Sequence, residues 1–337
     1  STRKMLRPLL CATLLCLVGA SVARAPLVEG LVAATFTPFN GNGTLEPSVV
    51  PAQAKYLNDT GVHWAFVSGT TGESVDLTVD ERKLMAEVWI REGPRAGVRT
   101  IIHVGAESIR NSMEMARHAQ DHGADAIGAM PPTFFKPLNV QALVETMAVI
   151  AAAAPDTPFF YYHIPSKTGV DFLMRDFLAA ADGKIPNLRG IKFTHWDLAD
   201  LQYCTNYGNG KYEIMYGMDQ QFLAALAYGV KAAVGTTYNF NGVLQNRVLS
   251  SFLKGDLETA RKAQFDSTRL IEDVLDFGTG TGTWSFKVLQ NLIAEPRVGS
   301  PRLPFLTATK AEEETLAQDV RKWCQSATFP APWCSKL

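Results

Sequence analysis

Eight short apolar runs, each followed by a connecting segment, constrain the fold of this chain more than any other feature. They are Leu31 to Phe36, Trp64 to Ser68, Thr100 to Val104, Ala126 to Met130, Phe159 to Ile164, Gly190 to Thr194, Glu213 to Gly217 and Ala232 to Thr236. Helical spacing recurs between them, over Thr78 to Ile90, Ile109 to His122, Val140 to Ala153 and Asp219 to Tyr228. Thr78-Val79-Asp80-Glu81 has the S/T-x-x-E form of a capping box, which marks a helix start. Short runs that are apolar almost throughout suit strands covered on both faces, as in parallel sheets. Eight such units spaced by about thirty residues predict a parallel sheet closed into a (β/α)8 barrel. The competing arrangement, an open doubly wound sheet, usually carries a glycine-rich dinucleotide turn after its first strand. Here Thr37-Pro38-Phe39-Asn40-Gly41-Asn42-Gly43 reads as an ordinary turn.

From Asn241 onward the pattern is helical only. Val248 to Leu253, Leu257 to Phe277, Trp284 to Ala294 and Lys310 to Cys324 predict a helical extension. The stretch Gly278-Thr279-Gly280-Thr281-Gly282 has no strand before it, so a helix connection is expected there rather than a nucleotide loop. The expected organisation is a leader over residues 1–25, a barrel over 26–240, and the last barrel helix with the extension over 241–337.

The leader reading rests on Arg3, Lys4 and Arg7, the apolar run Leu9 to Val18, and Ala23-Arg24-Ala25, the three-part pattern of a secretory signal peptide. No acidic residue precedes Glu29, which makes a mitochondrial transit peptide the second reading. The apolar run is too short for a comfortable membrane-spanning helix. Without the leader, the cysteines are Cys204, Cys324 and Cys334, and the last two could close a small loop in an oxidising compartment. Asn42-Gly43-Thr44 and Asn58-Asp59-Thr60 are acceptor sequons, meaningful only on the secretory route. No cysteine or histidine spacing resembles a metal site. With 32 basic against 33 acidic residues and no long basic run, the chain has no electrostatic footprint for nucleic acid. A hydrophobic fraction of 47% is ample for a large core.

In a barrel of this kind the chemistry sits at the C-terminal ends of the strands. The sixth run, Gly190-Ile191-Lys192-Phe193-Thr194, sets one lysine in an apolar strand. Burial disfavours the ammonium, and a neutral amine attacks carbonyl carbon; the alternative is a lysine that snorkels to the strand end. After the second run, Ser68-Gly69-Thr70-Thr71-Gly72-Glu73 forms a tight turn whose N–H and hydroxyl groups can hold a carboxylate. The fifth run ends in Tyr161-Tyr162-His163-Ile164-Pro165, where only one tyrosine can face the interior. The seventh and eighth supply Gly217-Met218-Asp219-Gln220 and Gly235-Thr236-Thr237, polar groups suited to a hydroxylated substrate, although Asp219 could equally cap the next helix.

The order and spacing of Gly69-Thr70-Thr71-Gly72-Glu73, Tyr162-His163-Ile164-Pro165, Gly190-Ile191-Lys192 and Val234-Gly235-Thr236-Thr237-Tyr238-Asn239 resemble the pyruvate-dependent class I aldolases. That family includes the N-acetylneuraminate lyases and dihydrodipicolinate synthases. Gly30 to Thr35, Tyr161 to Pro165 and Pro301-Arg302-Leu303-Pro304 look most like the animal N-acetylneuraminate lyases. The resemblance implies that Lys192 forms a Schiff base and that Tyr162 relays a proton. It implies that Thr70 and Thr71 bind the substrate carboxylate. Thr194, Gly217, Asp219, Gln220 and Thr236 would meet the rest of the sugar. It implies small-molecule substrates (sialic acid, pyruvate), no metal or organic cofactor, no membrane or nucleic-acid partner, a homotetramer, and a cytosolic setting at odds with the leader. Two positions depart from the lyase pattern. Gln220 stands where the lyases generally carry glutamate, and Lys167 stands where they carry an apolar residue and the synthases an arginine. These keep open a same-family activity on another 2-oxo acid; a non-catalytic sugar-binding barrel is a third reading.

Overall fold

The computed structural model describes residues 27–277 and 282–337. Eight strands, β1 (Gly30–Ala34), β2 (Trp64–Val67), β3 (Arg99–His103), β4 (Ala126–Ala129), β5 (Phe159–His163), β6 (Leu188–Phe193), β7 (Glu213–Tyr216) and β8 (Ala232–Gly235), close a parallel barrel in chain order. The expected (β/α)8 architecture is therefore the one observed. Around and after the strands lie α1 (Val50–Asp59), α2 (Val79–Glu92), α3 (Ile109–Asp121), α4 (Val140–Ala152), α5 (Pro165–Thr168) and α6 (Met174–Ala181). They continue with α7 (Leu198–Asn206), α8 (Phe222–Ala227), α9 (Tyr238–Leu253), α10 (Leu257–Leu275), α11 (Gly282–Ile293) and α12 (Lys310–Ser326). The leader-like segment 1–25 and the glycine–threonine stretch from Gly278 to Thr281 lie outside the described residues.

Alternation along the strands sorts side chains into two layers. Val32, Phe66, Ile101, Phe160, Tyr162, Met215 and Val234 fill the barrel interior, while Leu31, Ala65, Ile102, Tyr161, Ile191, Phe193 and Tyr216 pack outward against the helices. The same period sends Gly190 and Lys192 inward, between outward-facing Ile191 and Phe193. Gly190 is required there, since a Cβ would overlap the carbonyl of Glu213 on β7. Lys192 pairs in register with Tyr162 on β5 and Met215 on β7.

Local chemistry sets the helix starts. Thr78 and Glu81 make the expected capping box on α2, and Thr309 with Glu312 makes another on α12. Asp197 accepts from the amides of Ala199 and Asp200 to cap α7. Helix α9 begins ten residues before the expected Val248, because Thr236 and Thr237 turn directly from β8 into the helix, with a kink at Asn241. Cys324 and Cys334 are joined by a disulfide, and Cys204 is free and buried. Among the described residues no helix is long and apolar enough to cross a membrane.

Candidate active site

A cavity of about 220 Å³ opens at the C-terminal ends of the strands. Thr70, Thr71, Tyr162, Lys167, Lys192, Thr194, Gly217, Asp219, Gln220 and Thr236 all line it. Every site residue expected from the sequence is thus brought to one place.

Lys192 is buried, and its Nζ lies 3.9 Å from the ring centroid of Phe66 and 3.9 Å from that of Tyr162. Burial lowers its amine from 10.5 to about 7, against the opposing pull of Asp219. Neutral amine is therefore accessible near neutral pH. The Tyr162 hydroxyl sits 3.1 Å from Thr70 Oγ1. Burial pushes this phenol up to about 12, with Thr70 and Thr194 pulling the other way. Thr194 Oγ1 lies against the phenol without completing a hydrogen bond and has no partner among the described residues. Thr71 and Thr236 share a hydrogen bond of 2.6 Å, which ties the β2 turn to the end of β8.

Asp219 does not cap the helix that follows it. Its carboxylate turns to β8 and accepts from the Thr237 amide at 3.2 Å and the Thr237 hydroxyl at 2.6 Å. Burial raises it to about 6, with Thr237 and Lys192 favouring the charged form. Gly235 makes room, since a Cβ there would overlap this carboxylate; a Cβ at Gly217 would likewise overlap Thr194. Gln220 is held differently, its Nε2 donating to Glu272 of α10 at 3.3 Å.

Sequence reasoning missed three parts of the site. Glu73, at the end of the β2 turn, has left-handed backbone (φ 56°), unusual for a residue with a side chain. Its carboxylate accepts from Lys287 of α11 at 2.6 Å and from the Arg302 amide at 2.9 Å, and both side chains of the ion pair are fully buried. His103 lies beneath Tyr162 and Phe66, and burial with neighbouring Arg82 holds its imidazole well below the usual range. Ile271, Leu275 and Phe286, from α10 and α11, close the cavity wall. None carries a local signal, because each acquires its role from a partner distant in sequence.

The dihydrodipicolinate synthetase family model matches residues 27–323. The chain belongs to that family. It is 39% identical over 304 residues to an N-acetylneuraminate lyase of Danio rerio, covering 90% of this chain and 98% of the relative. With the Homo sapiens N-acetylneuraminate lyase it shares 39% over 285 residues, 84% of this chain and 88% of the relative. Among solved structures, the Proteus mirabilis N-acetylneuraminate lyase superposes with a TM-score of 0.83 at 36% identity, covering 88% of this chain and 98% of that one. These relatives correct the compartment expected from residues 1–25. The likeness is to animal lyases, which are cytoplasmic enzymes, and it overturns the secretory assignment.

Proposed function

We propose that this family member is a Schiff-base aldolase that cleaves N-acetylneuraminate to pyruvate and N-acetylmannosamine. The observation that carries the reading is Lys192, a buried amine lowered to about 7, against the Tyr162 ring in a cavity lined with hydroxyls. The neutral amine attacks the C2 ketone, and loss of water leaves an iminium. The C4 hydroxyl then gives its proton to the Tyr162 oxygen while the phenol passes its own to the substrate carboxylate. A phenol near 12 stays protonated at neutral pH, so it serves as a relay rather than a resident base. As the C3–C4 bond breaks, its electron pair moves into the iminium to give an enamine, and the aldehyde product leaves. Protonation at C3 and hydrolysis release pyruvate and regenerate Lys192. No metal or organic cofactor enters these steps.

Thr70 and Thr71 hold the substrate carboxylate, oriented by their bonds to Tyr162 and Thr236. Thr194, Gly217, Asp219, Gln220 and Thr236 meet the polyol and N-acyl end. The working enzyme is a homotetramer, which light scattering on the eluted protein tests directly.

A second reading is another pyruvate-dependent activity of the family, on a 2-keto-3-deoxy sugar acid, 4-hydroxy-2-oxoglutarate or aspartate semialdehyde. Lys167 favours it, as a cation at the cavity wall where a second carboxylate would sit. Gln220 also favours it, because an amide forms weaker bonds to distal hydroxyls than a carboxylate would.

Borohydride trapping with pyruvate and peptide mapping, run beside pyruvate release from N-acetylneuraminate, separates these readings. An adduct on Lys192 with release supports the lyase. An adduct without release moves the substrate to the second reading, and no adduct removes both.

A further inference from the structure

We propose that Glu87, His118 and His122 form a binding site for one first-row transition-metal cation of the zinc class, on the outer wall of the barrel. The cluster lies on α2 and α3 and shares no residue with the cavity. His118 and His122, the latter capping the C-terminal end of α3, are one turn apart and so face the same side. Their ring centroids lie 4.1 Å apart with 35° between the planes. Across the helix pair, Glu87 Oε1 stands 2.9 Å from His118 Nε2 and 3.9 Å from His122 Nε2.

A cation bound tetrahedrally at zinc distances needs donor atoms about 3.3 Å apart. The two spans bracket that value, so a small side-chain adjustment admits the ion. His122 Nδ1 lies 2.8 Å from the His118 carbonyl and donates to it. That bond fixes the tautomer, leaving the Nε2 lone pair directed toward Glu87, which is the outer support a metal-binding histidine uses. A simple ion pair with Glu87 needs only His118. The second imidazole, oriented by the backbone, is what the cation accounts for.

The three side chains are 15%, 43% and 40% exposed, in the order His118, His122, Glu87. An ion thus has an open path, and its fourth position faces water. Two imidazoles and a carboxylate suit zinc, cobalt, nickel or copper rather than magnesium or calcium, which prefer oxygen alone. Linear spacing does not reveal the cluster, because the third ligand comes from another helix, 31 residues before His118. Once bound, the cation pins α2 to α3, so its signature is stability.

The test is calorimetric titration of the full, metal-stripped chain with zinc chloride, repeated on His118→Ala, His122→Ala and Glu87→Gln. Cobalt(II) absorption reports the coordination geometry. Wild type is expected to bind one zinc ion through this cluster and to show the visible bands of tetrahedral cobalt. At about a hundredfold excess over Kd, zinc should raise Tm by about 5 °C. His122→Ala should weaken binding at least about tenfold and remove those bands, while pyruvate release without added metal reports that the variant is folded. A second group, His163, Asp171 and His195, shares no residue with the first or with the cavity lining and supplies the control. The proposal is overturned by absence of zinc binding in wild type, by wild-type affinity in both histidine variants, or by binding lost in His195→Ala instead.

Discussion

Replacing Lys192 by methionine keeps the length and apolar contacts of the side chain and removes its charge. Burial lowers this amine from 10.5 to about 7, a drop of roughly 3.5, and each pKa unit corresponds to about 1.4 kcal/mol. Holding the amine inside the barrel therefore costs up to about 5 kcal/mol where it is protonated in both the folded and unfolded chain. The unfolded chain keeps this proton up to about pH 10.5 and the folded chain only to about pH 7, so between these the unfolded state binds more protons. Wild-type stability then rises with pH, by about 1.4 kcal/mol per unit, whereas methionine does not titrate. The variant is thus more stable below pH 7, and the gap narrows above it. Asp219, raised to about 6, is ionised above pH 8, and Lys287, lowered to about 8, titrates in both proteins, so from pH 8 to 9.5 the difference between them belongs to Lys192. Urea unfolding of both proteins at matched concentration should give a gap about 2 kcal/mol smaller at pH 9.5 than at pH 8. The variant should also trap no pyruvate. Parallel stability curves across that interval would falsify the depressed amine on which the mechanism rests.

Three further outcomes follow from the same geometry. Tyr162→Phe removes the relay but not the amine, so borohydride should still trap pyruvate while kcat falls about a hundredfold to ten-thousandfold; equal loss of trapping would assign the tyrosine to imine formation instead. Gly235→Ala drives a methyl into the Asp219 carboxylate, which should cost about 1–3 kcal/mol in urea unfolding and raise KM for the sugar acid while pyruvate trapping persists. Lys287→Met strands the fully buried Glu73 carboxylate and should cost about 3–5 kcal/mol, most of it recovered when Glu73→Gln is added; a double variant no better than the single one would locate the cost elsewhere.

The barrel was legible because its signals are local and repeated. All eight strands fall where the apolar runs lie, and Tyr161 and Tyr162 divide between the two layers as strand alternation requires. Lys192 was legible for the same reason, since a charged residue inside an apolar strand is a local anomaly. The role of Asp219 was legible only in part, because a carboxylate opening a helical segment looks equally like a cap. Only the proximity of Thr237, made possible by the bare Gly235, turns it into the cavity. Residues 1–25 misled in the opposite way. Their pattern is strong as a local signal, yet the likeness of the rest of the chain is to animal lyases, which are cytoplasmic enzymes. Glu73 and His118 belong to a third class, residues whose partners lie 214 and 31 positions away and whose roles exist only after the helices have packed.

That third class shows how the helical extension is tied to the turn after β2. The turn after β2 holds Glu73 in a left-handed conformation, which costs roughly 1–2 kcal/mol on its own. What offsets that strain comes from α11 and the segment after it: the Lys287 ammonium on one carboxylate oxygen and the Arg302 amide on the other. Arg302 is itself fastened to Glu81 of α2 and to the Asp76 carbonyl, the segment into which the turn leads. The extension therefore grips the C-terminal end of the turn and the segment after it, while Ile271, Leu275 and Phe286 complete the cavity wall. A barrel ending near residue 240 would retain the lysine and the tyrosine but lose what shapes the threonine turn. With Lys192 and the threonine turn in the roles proposed above, Schiff-base formation and the hold on the substrate carboxylate would then come apart.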